Sequence, residues 1–247
     1  QLKKSLKIDI GGNISTRPIS NVFFGVQYNY LNRKAYTFAS NFYTGRFYES
    51  VQLLGRIDYP SKLPLFLSGE LTYNHWDYYN TSKIFVENPS PTYLNQSDRK
   101  MVLNFGMPLN KNARIVLSSS FINNDNQYSP TNTFAVGDVL DKTIFNGFRA
   151  ALTFEKNSLN RKQYSNSGKN ILISLNYTTG KEHYYPGNIP TNIFGVPLYP
   201  NIARNYRKWF HAHLAYENYF FYHKAYSLGV LAEAMVSNQP LYNNYYA

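Results

Sequence analysis

The 247 residues include no cysteine, which excludes a disulfide framework and any thiolate metal site. No apolar run approaches the ~18–20 residues of a membrane-spanning helix. No Gly-x-Ser-x-Gly elbow occurs, so an α/β-hydrolase nucleophile has no seat in this chain. Gln1 opens without the charged and then apolar pattern of a signal peptide, so a mature, processed or partial chain is expected. Acidic residues are scarce: 14 Asp and Glu stand against 25 Lys and Arg, a formal charge of +11. Such a surplus invites a nucleic-acid partner, but that requires the cations to gather on one element. Here they are scattered, from Lys3, Lys4 and Lys7 to pairs such as Arg33–Lys34, Arg99–Lys100, Arg161–Lys162 and Arg207–Lys208. No nucleic-acid partner is expected, and cations near strand ends suit anionic lipid headgroups.

What is abundant is aromatic and alternating. The chain has 24 Tyr and 17 Phe. From Arg207 to Ser237 two runs of period two are joined by a short polar turn. Phe210, Ala212, Leu214 and Tyr216 share one face of the first run, with Trp209, His211, His213, Ala215 and Glu217 on the other. Tyr226, Leu228, Val230, Ala232, Ala234 and Val236 share a face of the second. Period two marks strands, and these reach the ~9–11 residues of a tilted membrane-spanning strand. Lipid on one side and a wet lumen on the other select such a division. The mean hydropathy of -0.44 does not oppose this reading, because alternation averages out.

Similar strands are expected around Leu6–Ser15, Val22–Tyr30, Tyr36–Phe42, Val51–Asp58, Leu65–Asn74, Met101–Phe105, Ile115–Phe121, Phe148–Glu155 and Ile171–Tyr177. Gly11–Gly12 should thin or bulge the first. The apolar faces are led by Phe24, Val26, Tyr28, Phe38, Leu53, Leu71, Leu103, Leu117, Leu152, Leu175, Leu214 and Val230. Long polar loops are expected over Trp76–Arg99, Ile122–Thr143 and Gly180–Tyr206, with a fourth beginning at Ser237; short turns fall near Asn32, Lys62, Asn110, Asn160 and His223. From the fifth strand onward, long and short connections alternate. An outer-membrane barrel does this, with short periplasmic turns and longer external loops. Trp76, Tyr78, Tyr79, Tyr184 and Tyr185 would form an aromatic girdle where strands leave the membrane. The fold expected is all-β, a transmembrane antiparallel up-and-down barrel with about eleven strands in this chain.

Three stretches carry a family resemblance. They are Gly12-Asn-Ile-Ser-Thr-Arg-Pro-Ile-Ser-Asn21 followed by Gly25-Val-Gln-Tyr-Asn-Tyr-Leu31, then Asn157-Ser-Leu-Asn-Arg-Lys-Gln-Tyr-Ser-Asn-Ser-Gly168, then Ser237-Asn-Gln-Pro240 with Asn244-Tyr-Tyr-Ala247. Together they resemble the C-terminal barrel of patatin-like outer-membrane proteins of Bacteroidetes-type bacteria. That barrel belongs to the surface-antigen superfamily, with BAM-type assembly factors and two-partner secretion transporters. The second stretch looks like the superfamily's periplasmic link, an Asn/Asp-rich turn ending in Gly. The resemblance implies a sixteen-stranded barrel whose long loop after the eleventh strand folds back into the lumen. It also implies that residues 1–247 are an incomplete outer-membrane barrel domain, with periplasmic domains upstream and further strands downstream. The odd strand count agrees: a closed antiparallel barrel needs an even number, so missing strands or a partner chain should complete the wall.

The implied function is to anchor a periplasmic patatin-like lipid acyl hydrolase. The alternative is a BAM-type barrel for insertion or translocation of outer-membrane proteins, without enzymatic activity, in which a client adds a strand to an exposed edge. A passive pore is the weakest reading. Outer-membrane lipids and lipopolysaccharide are the expected partners. No catalytic residue or cofactor is expected in these residues. Ser97-Asp-Arg-Lys100 matches the Ser-x-x-Lys pattern of acyl-transfer enzymes but lacks companion motifs. His211, His213 and Glu217, with Glu233 across the hairpin, can be read as a metal site or as a hydrated lumen wall.

Overall fold

The structure, a computed structural model, describes residues 4–13, 21–45, 48–77, 94–128, 139–161, 164–187, 203–223 and 226–242. They form strands β1 (Lys4–Asn13), β2 (Asn21–Leu31), β3 (Ala35–Gly45), β4 (Tyr48–Tyr59), β5 (Leu65–Asp77), β6 (Leu94–Asn110), β7 (Ala113–Tyr128), β8 (Asp141–Asn157), β9 (Gly168–Tyr185), β10 (Ala203–His223) and β11 (Tyr226–Ser237). All belong to one sheet, in the order β1 to β11, and every pair of neighbours is antiparallel. This is an up-and-down wall. Among the described residues β1 and β11 are its two edges.

The two faces follow from alternation. One hydrogen-bonded row runs Tyr36, Ile57, Leu67, Phe105, Leu117, Leu152, Leu175, Ala212, Val236, apolar on nine consecutive strands. Among the described residues no second sheet covers this face, and Phe24, Tyr28, Phe38, Leu53, Leu71, Leu103, Leu117, Leu152, Leu175, Leu214 and Val230 are all exposed on it, with Val26 half-buried. The opposite face is polar and crowded. Ser50, Ser68, Ser120 and Thr178 are buried there although they are small. A sheet curled toward its polar face produces that asymmetry.

The apolar belt does not follow a single row. On β6 the first polar outward residue is Arg99 and the next turn begins at Lys111, which centres the belt on Phe105. On β2 the belt centres on Val26, whose row reaches β6 at Met101. The belt thus slips along the strands as the sheet is crossed. Tilted strands with a staggered register require this slip.

Several expectations are corrected. β5 to β10 extend into the stretches read as loops: 76–77, 94–99, 122–128, 141–143, 180–185 and 203–206 are strand. Beyond the belt neither face is apolar, so the pattern that marks a strand is gone while the ladder continues. Gly11 and Gly12 pair in register with Phe23 and Val22, without a bulge. Irregularities fall instead at Pro108/Asn110 and Tyr219/Phe221. Trp76 and Tyr184 belong to the polar face, where Trp76 lies against Tyr48 at 4.0 Å and Tyr184 bonds Asp141. Tyr78 and Tyr79 lie outside the described residues, as do 14–20 and 244–247 of the family-like stretches. Aromatic–cation pairs mark the end with the shorter turns: Lys34 over Tyr59 (4.5 Å) and Lys169 over Tyr216 (4.9 Å).

At that same end, the Asn-rich link from Asn157 is held by its own side chains. Asn160 Oδ1 accepts from the backbone N–H of Asn166 and Ser167, and Ser158 Oγ accepts from Lys169 N–H. Gly168 closes it with φ +101°, and a Cβ there would lie 2.2 Å from Ser158 O. Only glycine fits that backbone and that contact.

Candidate functional site

The polar face carries continuous hydrogen-bonded bands. Asn41 donates to Gln52, which donates to Glu70, which also accepts from Thr72. Asn104 joins Ser68 and Ser118, and Ser174 lies between Thr153 and Asn176. Charges are paired at the end with the shorter turns: Arg56 with Asp58 (2.6 Å) and Arg114 with Glu155 (2.6 Å). Aromatic rings on this face lie against glycines. A Cβ on Gly106 would meet the Phe66 ring at 2.1 Å, and Arg56 covers Phe66 at 4.0 Å.

The most enclosed part lies across β8–β10. Glu182 is fully buried and accepts a 2.6 Å bond from Arg207 Nε. Phe145 is buried over the facing glycines Gly147 and Gly180, where a Cβ on Gly180 would meet Asn146 O at 2.5 Å and Gly147 Cα at 2.7 Å. Trp209 packs on Phe145 at 5.5 Å. After β11 the chain turns onto this surface. Phe210 N–H donates to Asn238 Oδ1, and Tyr242 lies against Phe145 (5.4 Å) and Trp209 (6.4 Å). Burial, with the Glu182 charge behind it, pushes the Tyr242 phenol up to about 12, against the pull of Arg207 and Arg149. The segment that follows β11 therefore begins inside the curl, on a seat built from three strands.

A second buried carboxylate ties β7, β8 and β9 together at the far end. Asp141 accepts from Tyr128 OH (3.1 Å), Tyr184 OH (2.7 Å) and Gly187 N–H (2.5 Å).

Of the residues singled out as metal candidates, only His213 and Glu233 come together. His213 Nε2 pairs with Glu233 at 2.7 Å across the hairpin. His211 Nδ1 faces Asn176 Nδ2 at 3.3 Å, and Glu217 takes the Tyr219 hydroxyl. Among the described residues no three metal-binding side chains converge. Ser97 and Lys100 lie on β6, three residues apart, and so point to opposite faces; the Ser-x-x-Lys pairing cannot form on a strand. Ser97 instead bonds His75 Nδ1 at 3.0 Å. Their neighbouring backbone N–H groups belong to the β5–β6 ladder, which leaves no oxyanion donors. The Tyr242 seat was not foreseen, because its members lie far apart in sequence and each reads as one polar-face position among many.

No family model matches the sequence, and no curated protein resembles it. Among solved structures the fold is similar to the crystal structure of BamA from Haemophilus ducreyi lacking POTRA domains 1-3. The TM-score is 0.50 at 15% identity, over 88% of this chain and 41% of that one. The chain thus spans about two fifths of the structure it matches. At this identity the likeness is one of fold: an all-β, up-and-down antiparallel wall of the kind found in that barrel.

Proposed function

We propose that this chain is part of the wall of an outer-membrane β-barrel and that it works as a BAM-type assembly or translocation barrel. One observation carries the membrane reading: the apolar face is exposed on strand after strand, while the polar face behind it is crowded and hydrogen-bonded. A soluble protein rarely exposes a contiguous apolar area of this extent, whereas lipid demands it. The longer connections, after β5, β7 and β9, would face the outside, and the shorter turns the periplasm. The assembly reading draws on the fold likeness. Anchoring a patatin-like hydrolase rests on the sequence resemblance alone; a Gly-x-Ser-x-Gly with a paired Asp upstream would favour it.

The lack of cysteine makes the test direct. Single cysteines at Leu152 and Leu175 should resist a water-soluble maleimide in membranes and react with a lipid-soluble one, while Ser118→Cys should do the reverse. Equal labelling of both faces by the water-soluble reagent would sink the membrane reading. For the assembly reading, a photo-crosslinker at Val230 should capture a nascent barrel protein identified by mass. A crosslinker at Val230 that captures only lipid would refute assembly and leave the wall intact.

A further inference from the structure

The outward face carries a trough that the wall itself does not require. It is about 850 Å³ and crosses β4 to β10 at the upper edge of the apolar belt. Its floor is apolar, formed by Leu71, Met101, Phe121 and Phe148. A second trough of about 540 Å³ lies beside it, and the two share Leu53, Leu71 and Met101, so apolar groove continues toward the membrane centre. The upper rim is polar. Arg99, Asn123, Asn146 and Lys181 occupy one hydrogen-bonded row, on β6, β7, β8 and β9. Asn123 donates to Asn146 at 2.6 Å.

Some cations of the wall are neutralised by carboxylates, while others, among the described residues Lys34, Arg149 and Lys169 as well as those at this rim, are not. Arg56, Arg114, Lys142 and Arg207 are all ion-paired. Among the described residues Arg99 and Lys181 have no carboxylate within ion-pair distance. Arg99 only overlies Tyr73, at 6.0 Å. Lys208, further along the same face, is likewise outside any ion pair. The carboxylates nearby are Asp125, held by Lys142 at 2.9 Å, and Glu49 one row higher. Three strand spacings separate Arg99 from Lys181, about 14 Å at ~4.8 Å each.

We propose that this trough binds one molecule of a lipid with several acyl chains and two phosphates, one phosphate at Arg99 and the other at Lys181. Charge complementarity selects the phosphates, since two unpaired cations face the membrane boundary where anionic headgroups lie. The asparagine amides between them supply donors to the headgroup. The continuous apolar groove below distinguishes a lipid from free phosphate. The proposal rests on the reading that this face meets lipid.

The test uses the protein in nanodiscs of zwitterionic phosphatidylcholine doped with bisphosphorylated lipid A, monophosphoryl lipid A or phosphatidylglycerol, followed by native mass spectrometry of what stays bound. The bisphosphorylated lipid should be retained best. Each cation removed should cost about fivefold, so Arg99→Gln with Lys181→Gln should lose about twentyfold or more. Lys62→Gln with Lys111→Gln, at the opposite end, should change nothing. Equal retention of all the lipids by the unaltered protein overturns the proposal, whatever the variants do. So does undiminished retention in a double variant that still shows heat-modifiable migration. Displacement by inorganic phosphate as readily as by lipid A would show a free-phosphate site and overturn the lipid assignment. Equal labelling of Leu152→Cys and Ser118→Cys by the water-soluble maleimide removes the membrane reading, and this inference with it.

Discussion

Leu117→Arg offers the sharpest measurement of whether the exposed face is a lipid face. Leu117 lies on β7 in the apolar row, between Phe105 and Leu152, and is exposed. Past the small Ser119, Asn123 is the first large polar outward residue toward one end, and Lys111 opens the turn at the other. Each is six residues away, about 20 Å along the strand at ~3.4 Å per residue and about 15 Å in depth at a tilt of ~40°. On the proposed membrane reading Leu117 sits at the middle of a ~30 Å hydrocarbon layer. An arginine there should cost ~2–4 kcal/mol. Phe121 lies on the same face only two residues from Asn123, so Phe121→Arg should cost about 0–1 kcal/mol, near the interface. Ser118→Arg, at the depth of Leu117 but on the polar face, tests the sidedness and should cost less than Leu117→Arg. Urea unfolding in lipid vesicles, followed by the fluorescence of Trp76 and Trp209, gives the three values. Equal costs for Leu117→Arg and Phe121→Arg would refute a depth-dependent lipid environment. The same pair in a soluble protein, with the face in water, would each cost almost nothing.

Three further outcomes follow from the packed interior. Gly180→Ala should destabilise by about 1–3 kcal/mol, because its Cβ meets backbone atoms of β8 that cannot step aside; unchanged urea unfolding would show that β8 and β9 can separate there. Asp141→Asn has one acceptor oxygen where three donors converge; it should cost about 1–3 kcal/mol and speed hydrogen exchange at Gly187, and unaltered exchange would remove Asp141 as the tie. Tyr242 has its ionisation raised from the usual value near 10 to about 12, so its seat is intact below about pH 10 and weakens as pH rises through about 12. In a Trp76→Phe background, Trp209 emission should change over that interval, and Tyr242→Phe should abolish the change; a change that survives would belong to another group.

The division between sequence and structure follows the belt. Where lipid and lumen select opposite residue types, period two is written into the chain, and strands such as β2, β5 and the β10–β11 hairpin are legible from it. The same alternation identifies which residues share the apolar face with Leu53 or Leu175, because a strand has only two faces. Beyond the belt both faces are polar, so the ends of β6 to β10 could not be read, and Trp76 and Tyr184 were assigned to the wrong side. Pairing across strands is a tertiary matter. The stagger of the belt, the Gly147–Gly180 contact, the Glu182–Arg207 pair and the Tyr242 seat join residues tens of positions apart, through register that no local pattern specifies. The histidines illustrate the same limit: His211 and His213 share a face by sequence, but their β9 and β11 neighbours, Asn176 and Glu233, decide what each one meets. The unpaired cations at Arg99 and Lys181 are likewise a product of register, which sets asparagines rather than carboxylates between them.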